Sequence, residues 1–165
     1  GSKVAFLPLG GSGKDWQQEG CAAYQQMVSR LRTAGEMAKQ EGITIGIRTG
    51  MGAKFDKKLL KKVGSSQIKV YYNFQDAADH HRDICKELRK LGAQRIVQIH
   101  VSNTDSVNLQ EDPEINLPKI RKTLDKMKWS GWLVVERSRD VKRVRDVKYN
   151  FGRNIAYLKQ VFQER

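Results

Sequence analysis

The sequence predicts an α/β protein in which one parallel sheet is covered by helices on its outer side. Five apolar segments of strand length alternate strictly with segments of helical periodicity along the 165 residues. Glycines stand at or just after the ends of three of the helical segments, at Gly42, Gly64 and Gly92, as is typical of helix ends. Strict alternation indicates βαβ units, whose right-handed crossovers place the carboxyl ends of all strands on one side.

Strands are predicted where short runs rich in apolar and β-branched residues end at polar or turn-forming residues. These runs cover residues 4–9, 43–47, 68–72, 96–100 and 132–135. Helices are predicted where apolar residues recur at spacings of three and four. They cover residues 22–40, 55–63, 77–91, 117–127 and about 152–162. The predicted buried faces include Met27, Leu31, Ala34 and Ala38 in the first helix and Ile155, Leu158 and Phe162 in the last.

Length and composition indicate one globular domain. We interpret residues 1–2, Gly-Ser, as a tag remnant and residues 3–165 as a single truncated domain. No apolar run approaches the length of a membrane span, so no membrane partner is predicted. Cys21 and Cys85 both fall in helical segments, which favours a reducing, cytoplasmic compartment over a disulfide framework.

The formal net charge of +13 has two interpretations. It fits an anionic partner such as nucleic acid or a phosphorylated sugar. It also fits simple solubilisation, which we favour because the lysines are scattered over the predicted helix faces without interleaved aromatic residues.

A glycine-rich stretch, Gly10–Gly13, follows the first predicted strand and precedes Lys14. It differs from a phosphate-binding P-loop, which requires a glycine at the position of Pro8 and a hydroxyl residue at that of Asp15. It differs from the dinucleotide fingerprint as well, since Trp16 replaces the third glycine. We therefore expect a flexible loop.

Four polar residues lie at or next to the ends of the later strands: Arg48, Asn73, His100 and Glu136. Because parallel strands end on the same side, we expect these residues to converge on one rim of the sheet. A carboxylate at the end of an apolar strand needs a function or a partner, and for Glu136 the partner would be Arg48 or Arg137. His100 is either a functional residue or a structural one, and Arg48 suits an anionic ligand.

Several polar residues near the end of the third predicted strand have simpler interpretations. Asn73 and Asp76 either hydrogen-bond a hydroxylated ligand or cap the helix predicted from Ala77, and for Asp76 we favour the cap. His80 and His81 fall early in that helix and are expected on its solvated face.

The motifs at the end of the chain resemble a known family. Ile96–His100 followed by Asp105, and the run Trp-Ser-Gly-Trp-Leu-Val-Val-Glu at residues 129–136, are similar to the last two strands of sugar phosphate isomerases/epimerases. These enzymes are xylose isomerase-like TIM barrels. Weaker similarity to the fifth and sixth strands and the last helix of that family is found at residues 45–48, 70–73 and 154–158. The resemblance implies a partial TIM barrel of about five β/α units, beginning at the fourth strand.

The same resemblance implies site residues. Members hold a divalent metal among a Glu, an Asp, a His and a Glu on successive strands, and two of the acids move the substrate proton. His100 and Glu136 match the last two ligands and are the implied catalytic residues. Arg48 and Asn73 stand where the first two acids would be, so the expected divalent affinity falls. They are predicted, with Asp105 and Arg137, to bind substrate.

Three functions remain open on sequence grounds. The first is an isomerase/epimerase-like segment that binds a sugar or sugar phosphate and transfers a proton next to its carbonyl. The second is a non-catalytic, excised or engineered barrel fragment that folds or self-associates through its open sheet edges. The third is an AP-endonuclease-like nucleic-acid binder, which is disfavoured because such enzymes need a larger cluster of His and carboxylate ligands.

Overall fold

The structure, a computed structural model, describes residues 1–9, Trp16 and residues 18–164. The predicted flexible loop at Gly10–Gly13 lies outside the described residues. Seven strands are described: β1 Val4–Pro8, β2 Thr44–Arg48, β3 Ile68–Asn73, β4 Ile96–His100, β5 Asn103–Thr104, β6 Trp132–Val134 and β7 Arg137–Ser138. The helices are α1 Ala22–Gln40, α2 Ala53–Val63, α3 Phe74–Ala78, α4 Ile84–Leu91, α5 Leu117–Lys126 and α6 Val147–Phe162.

Five parallel strands form the main sheet in the order β1-β2-β3-β4-β6, which confirms the predicted α/β partial barrel. In the described part of the chain, β1 and β6 each pair with one neighbour in this sheet and so form its open edges. The two short strands β5 and β7 form a second parallel pair immediately beyond β4 and β6. The loops at the carboxyl ends of β4 and β6 are therefore tied together by their own small sheet.

The hydrophobic core lies between the main sheet and its helices. Buried side chains of the central strands, such as Ile47 and Ile99, pack with Leu59 of α2 and Leu88 of α4. Full burial of a side chain of this size contributes about 1.5–3 kcal/mol, so this layer supplies most of the driving force that holds the strand ends in register.

The helix predicted over residues 77–91 is wrong in one respect, because it is two helices. α3 begins at Phe74, and a turn that includes His81 in a left-handed conformation (φ 52°) separates it from α4. The Asp83 carboxylate accepts a hydrogen bond from the backbone N–H of Lys86 at 2.9 Å, and it thereby starts a new helix at Ile84. His80 and His81 are exposed, but they lie in this turn and not on a helix face.

The last helix also differs from its prediction. It starts at Val147, one residue after its cap Asp146, and not near Gly152. Its buried side carries Asn150, Asn154 and Leu158, whereas Ile155, which was predicted to be buried, is 43% exposed. The apolar periodicity missed this face because asparagines occupy it.

In α1, Leu31 and Ala38 are buried as predicted, while Met27 and Ala34 are half-buried. The structure buries Tyr24, Val28 and Gly35 as well. No described helix has the length and hydropathy that a bilayer crossing requires.

Two helical glycines allow a matched test of this packing. A Cβ atom on Gly35 would lie 2.3 Å from Ser65 Oγ and 2.7 Å from Ser65 Cβ, because α1 and the end of α2 are in close contact there. A Cβ atom on Gly152 in α6 would meet nothing within 4 Å. We expect Gly35→Ala to lower the free energy of unfolding by about 1–3 kcal/mol. Gly152→Ala should raise it by about 0.5–1 kcal/mol.

Urea denaturation of both variants measures the difference. Equal effects of the two substitutions would show that α1 does not approach α2 as closely as described.

Candidate functional site

The parallel register brings the predicted strand-end residues together. Asn73 on β3 is the register partner of His100 on β4, and His100 is in turn the partner of Val134 on β6. Glu136 follows two residues after β6, and Arg48 ends β2. We call Arg48, Asn73, His100 and Glu136 the rim cluster.

Arg48 is held by a bidentate ion pair. Its Nε and Nη2 atoms donate to Asp76 Oδ2 and Oδ1 at 2.9 and 2.7 Å, and both side chains are largely shielded from solvent. The hydrogen bonds that Arg48 donates to Asp76 raise the pKa of Arg48 against the opposing effect of burial. The prediction that Asp76 caps a helix is therefore wrong. The cap is Asn73, whose Oδ1 accepts from the backbone N–H of Gln75 at 2.8 Å.

Glu136 lies between two partners. Its Oε2 is 3.6 Å from Nη1 of Arg48 and 3.2 Å from Nδ1 of His100. The second contact is an ion pair only when His100 is protonated, and the two atoms do not form a hydrogen bond. Of the two structural partners considered for Glu136, the structure shows Arg48 and not Arg137.

The imidazole of His100 is buried and wedged between rings. Its centroid lies 4.4 Å from that of Tyr71 and 5.3 Å from that of Phe6, both in edge-to-face geometry. Burial lowers the pKa of His100, and the positive charge of Arg48 adds to this effect, while Glu136 opposes it. His100 is therefore neutral at pH 7 and able to donate or accept a hydrogen bond. No sequence pattern indicated that Phe6 and Tyr71 would orient this ring.

Three buried polar atoms of the rim cluster lack a hydrogen-bond partner among the described residues: Asn73 Nδ2, His100 Nδ1 and Glu136 Oε2. Such atoms are costly to bury, and they are rare in folded proteins away from functional sites. They lie at the ends of adjacent strands. The amide nitrogen of Asn73 is a donor, the carboxylate oxygen of Glu136 is an acceptor, and the ring nitrogen of His100 can be either. A hydroxylated ligand would satisfy them.

Asp105 and Arg137 occupy the small sheet formed by β5 and β7. Arg137 Nη1 is 3.0 Å from Asp105 Oδ2, and Arg137 Nε donates to Asn103 Oδ1 at 2.8 Å. Arg139 Nε lies 3.5 Å from the other Asp105 oxygen. These predicted substrate-binding residues thus pair with one another and join the two loops.

Three buried asparagines fix the loops behind this small sheet. Asn150 Oδ1 accepts from Asn108 Nδ2 at 2.9 Å and from the backbone N–H of Asp140 at 2.8 Å. Asn154 donates to the carbonyl of Ser138 at 2.6 Å and accepts from the N–H of Leu109 at 2.9 Å. α6 thereby anchors both loops. Sequence reasoning missed this role because an asparagine face carries no hydrophobic signal.

A second polar layer lies beneath Arg48. Arg82 donates to the carbonyls of Gly50 and Asp76 at 3.1 and 2.8 Å, and its Nε is 3.4 Å from Glu87 Oε2. Tyr72 donates to the same Glu87 oxygen at 3.3 Å. Arg82 therefore joins the loop after β2 to α3, the helix that carries Asp76.

Asp56 completes this layer from α2. It is 4% exposed and accepts a 2.5 Å hydrogen bond from Thr49 Oγ1. Burial raises the pKa of Asp56 to about 7, the Thr49 hydrogen bond opposes the rise, and the charge of Glu87 adds to it. No sequence signal separated Asp56 from the other charged residues of its helix.

The residues present do not fit a divalent metal ion. No group of three or more His, Cys, Asp or Glu side chains suited to a metal occurs in the described part of the chain. The two candidate ligands, His100 and Glu136, face each other, and the guanidinium of Arg48 lies beside the same oxygen. A metal among these atoms would be repelled by Arg48, with too few oxygen ligands to compensate.

Known proteins support the same architecture. The family model of xylose isomerase-like TIM barrels matches residues 1–161. Comparison with curated proteins gives no match. A sugar phosphate isomerase/epimerase from Parabacteroides distasonis superimposes with a TM-score of 0.72 at 14% identity, covering 95% of this chain and 59% of the other.

Two further solved structures resemble the chain to a similar degree. For 3-keto-D-glucoside 4-epimerase from E. coli the TM-score is 0.75 at 10% identity, with 94% of this chain and 63% of the other covered. For D-allulose 3-epimerase from Methylomonas sp., solved in complex with D-allulose, it is 0.66 at 12% identity, with 85% and 56% covered. The chain thus spans somewhat more than half the length of these structures, and identities this low show the fold alone.

The raised pKa of Asp56 predicts that the free energy of unfolding depends on pH. A carboxyl group whose pKa rises on folding binds its proton more tightly in the folded state. Its contribution to stability therefore falls as the pH rises from its ordinary pKa of 3.8 to about 7, and the full cost remains above pH 7. We expect Asp56→Asn, which keeps an oxygen for Thr49, to be more stable than the native chain at pH 8 by at least about 1 kcal/mol.

The advantage should shrink towards pH 5, as measured by urea denaturation at both pH values. Asp125→Asn, at an exposed position on α5, is the control and should show no comparable change. An Asp56→Asn advantage that is the same at pH 5 and pH 8 would contradict a raised pKa.

Proposed function

Because this chain belongs to the xylose isomerase-like TIM barrel family, we propose that its rim cluster binds a sugar or sugar phosphate and moves a proton next to the sugar carbonyl. The observation that carries the proposal is the set of unpartnered buried atoms on Asn73, His100 and Glu136. Each hydroxyl of a sugar both donates and accepts. A hydroxyl that enters between Glu136 and His100 can therefore pair with both of their atoms, and a second sugar oxygen can accept from Asn73. The sugar-bound epimerase among the structural neighbours supports this class of ligand.

In the proposed reaction Glu136 is the base. Its side chain is 37% exposed at the rim and is held by the charge of Arg48, which places it within reach of a substrate. Glu136 removes the proton from the carbon next to the carbonyl, and the electron pair of that C–H bond moves to form an enediolate. The guanidinium of Arg48 stabilises the negative oxygen that develops.

His100 and Asn73 position the substrate. The ring of His100 is fixed by Tyr71 and Phe6, and neutral imidazole can hydrogen-bond a sugar hydroxyl without competing for the proton of Glu136. Asn73 offers its Nδ2–H₂ group to a second oxygen. An anionic group on the substrate would add affinity through Arg48.

The number of available carboxylates favours isomerisation over epimerisation. Within the described residues of the rim, Asp76 is occupied by its bidentate bond to Arg48, which leaves Glu136 as the carboxylate able to take a proton. A single base returns the proton on the face from which it came. Transfer between neighbouring carbons needs only that face, whereas inversion of a carbon needs a second acid on the opposite face.

Exchange of the substrate proton with solvent tests this function. In D₂O, incubation with a panel of aldose and ketose phosphates should replace the proton next to the carbonyl with deuterium, observed by ¹H NMR. Glu136→Gln should reduce the exchange by about 10²–10⁴-fold while ligand binding remains, because it removes the base and preserves the shape. Glu114→Gln, at an exposed position, is the matched control and should exchange as the native chain does.

Native protein that is folded and exchanges no member of the panel would contradict the function. Exchange that survives Glu136→Gln at the native rate would contradict the role of Glu136.

A second candidate, a barrel fragment that self-associates, is favoured by the open edges of the sheet. Trp132 on β6 is 74% exposed, and Phe6 and Leu7 on β1 are exposed as well. Large apolar side chains on unpaired edge strands promote pairing with another chain. Sedimentation velocity should then give a mass of at least twice 18.9 kDa, and a stable monomer at high concentration would contradict the idea. Nucleic-acid binding stays the disfavoured alternative of the sequence analysis.

A further inference from the structure

We propose that the guanidinium of Arg48 takes the place of the divalent cation that the family resemblance implies, so that this rim carries a built-in cation and holds no metal. The inference goes beyond the proposed function, because it concerns the cation at the rim and is read out by metal binding. It stands whether or not the chain moves a proton.

The first argument is the arrangement of carboxylates around Arg48. Asp76 chelates the guanidinium through two oxygens at 2.7 and 2.9 Å, and Glu136 approaches a third nitrogen at 3.6 Å. Two carboxylates from different elements therefore converge on one positive centre, as they would on a metal ion. A planar guanidinium is suited to this geometry because its donors form a rigid fork.

The second argument is that Arg48 is fixed in this place. Asp76 lies on α3, and its carbonyl accepts a hydrogen bond from Arg82 at 2.8 Å. Arg82 is held in turn by Glu87 and by the carbonyl of Gly50 in the loop that follows Arg48. Arg48 therefore cannot leave the rim for a metal ion without breaking its bond to a carboxylate that is itself anchored.

The third argument is competition for one oxygen. Glu136 Oε2 faces both Arg48 and Nδ1 of His100. Glu136 and His100 are the side chains that match the metal ligands implied by the resemblance. A divalent ion bound by that oxygen and that nitrogen would lie next to a permanent positive charge. Like charges at this range repel strongly in a partly buried site.

The position of Arg48 allows a gain-of-function test. Arg48→Glu replaces the cation with a carboxylate at the end of β2, so that carboxylates from three elements and the His100 imidazole surround the vacated space. Arg48→Met removes the charge and adds no ligand, which makes it the matched control. Arg48→Glu/His100→Ala removes the implied nitrogen ligand again.

Isothermal titration with MnCl₂ and the visible absorption of added Co²⁺ measure binding in all four proteins. We expect the native chain to show no stoichiometric binding. Arg48→Met loses the repelling charge but gains no ligand, so it should bind weakly at most. Arg48→Glu should bind one equivalent at least 10-fold more tightly than Arg48→Met, and the additional His100→Ala change should abolish this gain.

Two results would overturn the proposal. One is stoichiometric Mn²⁺ binding by the native chain that His100→Ala removes. The other is a folded Arg48→Glu variant, verified by circular dichroism, that binds metal no better than Arg48→Met.

Should Arg48→Glu fail to fold, Arg48→Glu/Asp76→Asn relieves the contact between two carboxylates, and the same criterion applies to it. The native chain offers an independent test. Because its rim is proposed to hold no metal, its melting temperature should be equal in EDTA and in MnCl₂. Failure of the proton-exchange experiment leaves these metal-binding results intact, so the two proposals fail independently.

Discussion

The bidentate bond between Arg48 and Asp76 connects the sheet to the loops that form the site. Arg48 ends β2, and Asp76 lies on α3, a helix that starts where β3 ends because Asn73 caps it. Hydrogen bonds between charged groups contribute about 1.5–3 kcal/mol each when they are shielded from water, whereas an exposed pair such as Lys58–Glu19 contributes about 0–1 kcal/mol. Among the ion pairs of the described chain, Arg48–Asp76 is the one with two hydrogen bonds, and its side chains are 21% and 19% exposed.

Polar layers on both sides depend on this bond. Below it, Arg82 and Glu87 hold α3 and the loop after β2, and Asp56 fills the remaining buried position. Above it, the guanidinium of Arg48 faces Glu136. Burial lowers the pKa of His100, Glu136 opposes this effect, and the charge of Arg48 adds to it. The site therefore follows from where one guanidinium is anchored.

Much of the fold follows from local sequence patterns. Five apolar runs alternating with amphipathic segments predict the parallel sheet, and parallel connectivity alone predicts that Arg48, Asn73, His100 and Glu136 share a rim. The pairing of Arg48 with Glu136 was one of two alternatives that charge and position left open, and the structure decides between them. These predictions succeed because they depend on periodicity and topology.

Other features escape sequence reasoning for physical reasons. The break before Ile84 depends on competition between continuing the helix and capping it with Asp83, and both choices suit the local sequence. The asparagines of α6 and the carboxylate of Asp56 are buried because partners from distant segments satisfy them, and hydropathy assigns such residues to the surface. The role of Asp76 depends on Arg48, which lies 28 residues away along the chain.

A double-mutant cycle between Arg48 and Asp76 measures how firmly the guanidinium is anchored at the rim. The free energies of unfolding of Arg48→Met, Asp76→Asn and the double variant, compared with the native chain by urea denaturation, isolate the energy of this one contact. A shielded bidentate pair predicts a favourable coupling energy of at least about 1 kcal/mol that persists in 0.5 M NaCl. A coupling energy near zero, or one that disappears in salt, would show that Arg48 is not anchored at the rim and would contradict the account.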